Sequence, residues 1–264
     1  MFQDYFYHRQ TVLELASKYG HCERWIRQQI QQYQPYIKTP IPRAVTLVMD
    51  ATFFGKREDK FGVLVAKDSL CSEVLSYHFI RTEQVSDYKE MVNGLCKMGF
   101  TIKSITIDGK KGLVQAFNDI PIQMCHFHQQ AIMMRYLTRK PKLPAAIDLR
   151  RIAFYLSRTT QSRLTQLLDA WQNRHTPFLA ERTSNLKTGR SRYTHQRVRS
   201  AHRSLRTQLP SLFTHHNHPD FNVPNTTNAL DGGVFSPLKT LLRIHRGMSQ
   251  ELKIKLIVDY LENH

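Results

Sequence analysis

Residues 43–55 read Arg43-Ala44-Val45-Thr46-Leu47-Val48-Met49-Asp50-Ala51-Thr52-Phe53-Phe54-Gly55. The apolar run Val45, Leu47, Val48 and Met49 predicts a buried strand over residues 44–50, closed by Asp50. A carboxylate at the end of such a strand is costly to desolvate, and a divalent cation offsets that cost well. The arrangement recurs downstream. Ile102, Ile105 and Ile107 lead into Asp108-Gly109, and a third acid lies in Thr226-Thr227-Asn228-Ala229-Leu230-Asp231-Gly232-Gly233. Taken singly, Asp50 and Asp108 read equally well as turn aspartates.

Outward from β-rich residues 44–50, further strands are expected at 60–67 and 72–80, with turn signals at Gly55 and Asp68-Ser69. Residues 84–99 carry Val85, Tyr88, Val92 and Leu95 at helical spacing. A strand at 102–108, a short helix after Gly112 and a strand near 121–125 follow. Three strands, a helix, a strand, a helix and a strand predict an α/β fold with a mixed sheet under helical cover. Residues 129 to about 213 read as helical with no clear strand, and 228–262 as two helices separated at Arg246-Gly247. Upstream, Leu13, Leu15, Ala16 and Tyr19, then Gly20, then Trp25, Ile26 and Ile30 suggest a small helix-turn-helix within residues 1–34. Arg24, Arg27, Gln28, Gln31 and Gln32 then lie on the open side of its second helix, where they reach base edges or phosphates. A plain αα-hairpin with a polar outer face fits the same residues. Pro35 to Pro42 reads as a linker.

The 264 residues carry a formal charge of +17, which points to a polyanionic partner, most often nucleic acid. Residues 135–206 hold 17 Lys or Arg against three acids (Asp148, Asp169, Glu181), or +14 of that total. Such clustering suits a surface that tracks a DNA backbone, with binding that weakens steeply in salt. The four cysteines, Cys22, Cys71, Cys96 and Cys125, form no C-x-x-C pair, so neither a disulfide framework nor a zinc ribbon is indicated. Neither a signal peptide nor an apolar run of membrane-spanning length is evident, so a cytoplasmic protein with no membrane partner is expected.

Four segments together resemble the DDE transposases of bacterial insertion sequences, in the Mutator-like superfamily. Met49-Asp50-Ala51-Thr52-Phe53-Phe54-Gly55 and Ile107-Asp108-Gly109 resemble the segments of the first two acids. Gln123-Met124-Cys125-His126-Phe127-His128 resembles the C-x-x-H element that follows, and Thr227 to Gly233, running on to Leu242-Arg243-Ile244-His245-Arg246-Gly247, resembles the segment of the third acid. The resemblance covers residues 43–264. It implies an RNase H-like catalytic domain (43–128 and 222–264), interrupted by a basic all-α insertion (129–221) and preceded by the helix-turn-helix. It also implies cleavage of DNA at terminal inverted repeats and transfer of the freed 3′ ends to target DNA. A homo-oligomer on DNA and a nucleoid-associated bacterial setting go with that.

Under this reading Asp50, Asp108 and Asp231 are the catalytic acids and hold Mg²⁺ or Mn²⁺, with two ions about 4 Å apart serving the attacking and leaving oxygens. Asp50 bridges both ions. The family's third acid is usually glutamate, so Asp231 is a departure, one methylene shorter. An all-aspartate centre, a decayed copy, or another acid such as Glu251 would each account for it, and the intact Thr-Asn and Gly-Gly flanks favour the first. Cys125 and His128 have zinc-like spacing, but with His126 they still lack a fourth ligand. Cys125 is better placed as strand-end packing and His128 beside the catalytic centre or on DNA. Arg197, Arg199 and Arg203 are expected on a helix against the DNA backbone, and Arg243, His245 and Arg246 around a phosphate near the metals. Trp171, beside Leu167 and Leu168, reads as core before it reads as a base-stacking residue, and His215-His216-Asn217-His218 as a polar loop. Two other readings remain: a catalytically lapsed DNA-binding regulator or inhibitor of transposition, and a structure-selective nuclease of the same fold.

Overall fold

In the computed structural model β1 spans Ala44–Phe54, so the strand does not stop at Asp50. It continues because Ala51 to Phe54 keep pairing with β2 (Phe61–Asp68), in antiparallel register from Asp50↔Val65 to Phe54↔Phe61. The structure describes residues 1–55, 61–110, 112–117, 119–184, 188–245 and 247–264. β3 (Val74–Ile80) lies antiparallel to β2, while β4 (Thr101–Ile107) and β5 (Ile122–Met124) run parallel to β1. The sheet order is β3-β2-β1-β4-β5, which puts the Asp50 strand at the centre. This is the mixed, helix-covered α/β arrangement that the strand and helix order predicts.

Alternation along β1 assigns its residues to two faces. Val45, Leu47 and Met49 join the core beneath α4 (Val85–Lys97) and α5 (Leu113–Ala116), against Tyr88, Met91 and Leu95. Val48 and Phe54 point the other way, into a core with Leu230, Phe235, Leu238 and Ile257. Asp50 has the parity of Val48 and Phe54, so its side chain belongs to this second face.

Three helices precede the sheet: α1 (Phe2–Phe6), α2 (Val12–Tyr19) and α3 (Glu23–Gln32). α2 and α3 are the expected pair. Thr11 and Glu14 cap α2 reciprocally, and Gly20 ends it with φ +68°, a left-handed conformation that a side chain would strain. α1 has no counterpart in the sequence reading. Nor is the trio separate from the sheet domain. Phe6, Leu15, Ile26 and Ile30 share a core with Leu256, and the phenols of Tyr7 and Tyr33 donate to the two oxygens of buried Asp259, at 2.7 and 2.5 Å.

After β5 the chain enters α6 (His126–Leu137), α7 (Pro144–Phe154), α8 (Gln161–Ala180), α9 (Gln196–Leu212) and α10 (Thr214–Asn217). These build their own core around Leu149, Leu168, Trp171 and Leu205. Two expectations are corrected here. The helical part starts at His126 rather than 129, and the insertion is not all-α, because β6 (Arg182–Ser184) and β7 (Ser191–Tyr193) pair as an antiparallel ribbon. Trp171 is core, with its indole N–H donating to the Ala145 carbonyl at 2.9 Å. His215 and His216 lie within α10 rather than a loop, and the His215 amide donates to the Gln123 side chain.

The chain then returns through α11 (Asn228–Leu230), a π-helical turn over Asp231–Phe235, α12 (Ser236–Ile244) and α13 (Gln250–Glu262). Among the described residues no helix is long and apolar enough to cross a membrane.

Candidate metal centre

Asp231 reaches the sheet because residues 221–227 are stitched across it. The Thr46 hydroxyl of β1 donates to the Phe221 carbonyl at 2.8 Å, and the Thr106 hydroxyl of β4 donates to the Pro224 carbonyl at 2.7 Å. The His126 amide then donates to the Asn225 carbonyl at 2.9 Å, and the Thr227 amide to the Cys125 sulfur at 3.3 Å. These bonds start α11 above the middle of the sheet, over Asp50. The next turn is π-helical and carries Gly232-Gly233, a distortion that recurs at functional sites.

Asp50, His128 and Asp231 each offer a ligand atom, and these atoms lie within 4.8 Å of one another. Asp50 is 6% exposed. Its Oδ1 accepts from the Ala51 amide at 2.8 Å, while Oδ2 is buried with no hydrogen-bond partner. An orphaned carboxylate oxygen among further donors fits a divalent cation, which would complete its coordination. Burial, reinforced by repulsion from Asp231, pushes the Asp50 carboxyl up to about 8. The hydrogen bond to Cys125 pushes the His128 imidazole up to about 9, with Asp50 and Asp108 adding to the effect. Burial alone raises the Cys125 thiol, but hydrogen bonds with His128 and Thr227 outweigh it and bring the thiol below its ordinary value.

Asp108 follows the last residue of β4. Continuing the register from Val48↔Thr106 puts it level with Asp50 on the neighbouring strand. Its Oδ1 accepts from the Lys110 amide at 2.9 Å, and its charge acts on both Asp50 and His128. The tightest group is therefore Asp50, His128 and Asp231, with Asp108 beside it, rather than the three aspartates alone. Cys125 is a packed strand-end residue, as expected, and it anchors Thr227. Thr227 is the residue that the sequence reading passed over. Its hydroxyl donates to Asp231 Oδ2 at 3.1 Å and lies 3.5 Å from His128 Nδ1, so one side chain orients both candidate donors. Its spacing of four residues from Asp231, one helical turn, was the available signal.

The expected DNA-contacting residues are spread over three surfaces. Arg24, Arg27 and Gln28 are exposed on α3, with Arg27 paired to Glu23 at 3.1 Å. On α9, Arg203 is exposed and Arg197 donates to the Arg135 carbonyl. Arg199 lies over the Tyr193 ring at 3.7 Å and donates to the Leu179 carbonyl, so part of its role is internal. Arg243 is exposed on α12. His245 is turned inward: its Nε2 donates to the Phe6 carbonyl at 3.1 Å and its ring packs on Tyr5 and Phe6, so it ties α12 to α1 rather than facing a phosphate. Arg246 lies outside the described residues.

No known protein family and no curated protein matches this chain. Among solved structures it has a faint likeness to a chain of the simian T-cell lymphotropic virus intasome in complex with PP2A regulatory subunit B56 gamma. That likeness has 12% identity and a TM-score of 0.26, and covers 55% of this chain and 67% of that one. A likeness of that size carries no argument about function.

Proposed function

We propose that this protein is a metal-dependent polynucleotidyl transferase, a transposase that cuts DNA at the ends of an insertion sequence and joins the freed 3′ ends to target DNA. The observation that carries the reading is the buried, unpartnered oxygen of Asp50 within 4.8 Å of donors from Asp231 and His128, in a chain of charge +17. The sheet order, with one acid on the central strand and another level with it on β4, supports an RNase H-like catalytic domain. Basic α9 and the open face of α3 offer surfaces for the DNA backbone.

Asp50 and Asp231 would hold Mg²⁺ or Mn²⁺, with Asp108 and His128 completing the donor set. Bound metal supplies Lewis-acid activation of water or a 3′ hydroxyl and neutralises the leaving oxygen. The chain itself keeps the donors in place. Thr227 orients Asp231 and His128, Cys125 holds Thr227, and the Lys110 amide fixes Asp108. Before metal binds, proton uptake at Asp50 lessens its repulsion with Asp231.

The position of Asp108 outside the tightest group favours a second reading, a DNA-bound regulator that no longer cuts. One assay separates the two: purified protein, terminal inverted-repeat DNA, and Mg²⁺ or Mn²⁺, scored for 3′-end cleavage. The enzyme reading expects cutting that is lost in Asp50→Asn and in Asp108→Asn. Binding that needs no metal, with no cutting in either cation, supports the regulator, and cutting that survives Asp50→Asn overturns the assignment of the centre.

A further inference from the structure

A second feature lies along the same helix, away from the carboxylates. Phe54 and Phe61, at the joined ends of β1 and β2, face Lys239 and Arg243 of α12 and Lys253 of α13 across a groove of about 730 Å³. That volume falls within the ~300–1,000 Å³ of ordinary ligand sites. Phe61 stacks on Phe79, itself 38% exposed, with centroids 5.7 Å apart and planes within 4°. Exposed, ordered rings of this kind offer faces for stacking.

The three cations are unspent. Lys239, Arg243 and Lys253 have no ion-pair or hydrogen-bond partner among the described residues, whereas Lys255 on α13 bonds both Glu251 and the Gln31 carbonyl. No acid lines the groove among the described residues. Aromatic faces beside free cations match the chemistry of a nucleic-acid strand, with phosphates on the cations and bases on the rings. A paired duplex keeps its bases stacked inside, so a ring can take a base face only from an unpaired strand.

The distance to the centre is set by the helix. Lys239 and Arg243 follow Asp231 by eight and twelve residues in one continuous helical run. At ~1.5 Å per residue they lie roughly 12 and 18 Å along its axis. At the ~3.4 Å spacing of stacked duplex bases this span would hold about four to five nucleotides, and an extended unpaired strand covers it with fewer. We infer that the groove holds an unpaired stretch of DNA a few nucleotides from the phosphate at the acidic centre, with its backbone on Lys239, Arg243 and Lys253 and a base against Phe61. That the occupant is DNA rests on the proposed function; that the groove binds a single strand is tested apart from it.

The probe is an oligothymidylate of about ten nucleotides, within the ~4–16 that such grooves track, carrying one 5-iododeoxyuridine. It is bound in EDTA, irradiated, and its cross-links are mapped by mass spectrometry. Cross-linking at Phe61 or Phe79 is expected. In parallel, anisotropy is read for Phe61→Leu, which keeps an apolar side chain against Phe54, and for Lys239→Gln, Arg243→Gln and Lys253→Gln combined. Each should lose roughly tenfold in single-strand affinity, equal to about 1.4 kcal/mol, while duplex affinity stays within about twofold. Cross-links confined to α6–α9, or equal losses for single strand and duplex, overturn the inference. If the strand cross-links at Phe61 but no cleavage occurs in the metal assay, the groove stands and the enzyme reading falls. Cleavage with no cross-link at the groove gives the reverse, and a protein that binds neither DNA overturns both.

Discussion

Asp50 Oδ2 sits in the interior with no donor, beside a second carboxylate, and this has consequences that acid and metal can reveal. With the folded carboxyl pushed up to about 8 from 3.8, the folded state binds a proton that the unfolded chain has released over that interval. Metal-free stability therefore falls as pH rises from about 4 to about 8. His128 acts in the same direction higher up: its folded value of about 9 contributes stability that is full below 6.5 and lost as pH climbs toward 9. Thermal melts in EDTA should thus show a lower Tm at pH 8 than at pH 6, and Asp50→Asn should narrow that gap. The same substitution should abolish the Tm gain from Mn²⁺, and a gain that persists would place the metal elsewhere. Because one donor is an imidazole, which hard Mg²⁺ favours less than carboxylate oxygen, Mn²⁺ should bind more tightly than Mg²⁺. His128→Ala should lower Mn²⁺ affinity at least ~10-fold in calorimetric titration and shrink the preference. The acids themselves were legible because each breaks or ends an apolar run. His128 was expected beside the centre or on DNA but not as a donor within it, since that depends on α6 starting at His126, directly after β5, and no helix-start residue marks that point.

At the scale of elements, legibility followed hydrophobic pattern. β1 to β5 and α4 were readable from apolar and β-branched runs or from helical spacing, and their bounds agree within a few residues, β1 apart. β1 runs on past Asp50 because Phe53 and Phe54 still pair with β2, which an acid in mid-strand hides from a reader of apolar runs. β6 and β7 had no signal: Arg182-Thr183-Ser184 and Ser191-Arg192-Tyr193 are short and mostly exposed, held by pairing and by contacts such as Arg182 over the Tyr193 ring that no local pattern announces. α1 is five residues long, too short for periodicity, and is defined by what Phe2 and Phe6 pack against. The β1–β2 pair makes its own prediction. A Cβ on Gly62 would stand 2.6 Å from Phe53 Cδ1 and 2.8 Å from the Thr52 carbonyl oxygen, and backbone cannot swing aside as a side chain can. Gly62→Ala should cost about 1–3 kcal/mol in chemical denaturation, and an unchanged midpoint would contradict that contact.

Over the whole molecule, the pairing of α2 with α3 was legible, but its attachment was not, because Tyr7, Tyr33 and Asp259 are remote in sequence and carry no local pattern. Hydrogen bonds to a charged acceptor contribute about 1.5–3 kcal/mol, so Tyr7→Phe should lower unfolding stability by that order. Deleting residues 1–33 should do more than remove the proposed DNA contact. It uncovers Leu256 and the apolar side of α13, so the shortened chain should melt earlier and aggregate, which light scattering would register. The same attachment sets a timetable for synthesis. α13 supplies Leu256 to the first helices and Ile257 and Leu261 to the sheet, yet it is translated some 230 residues after α3. At ~5–20 residues per second this is a wait of roughly 10–50 s. Through that interval the earliest helices lack Leu256 and the Asp50 strand is covered on its α4 face alone, so the N-terminal layer and the second face of the sheet are completed only once α13 has emerged.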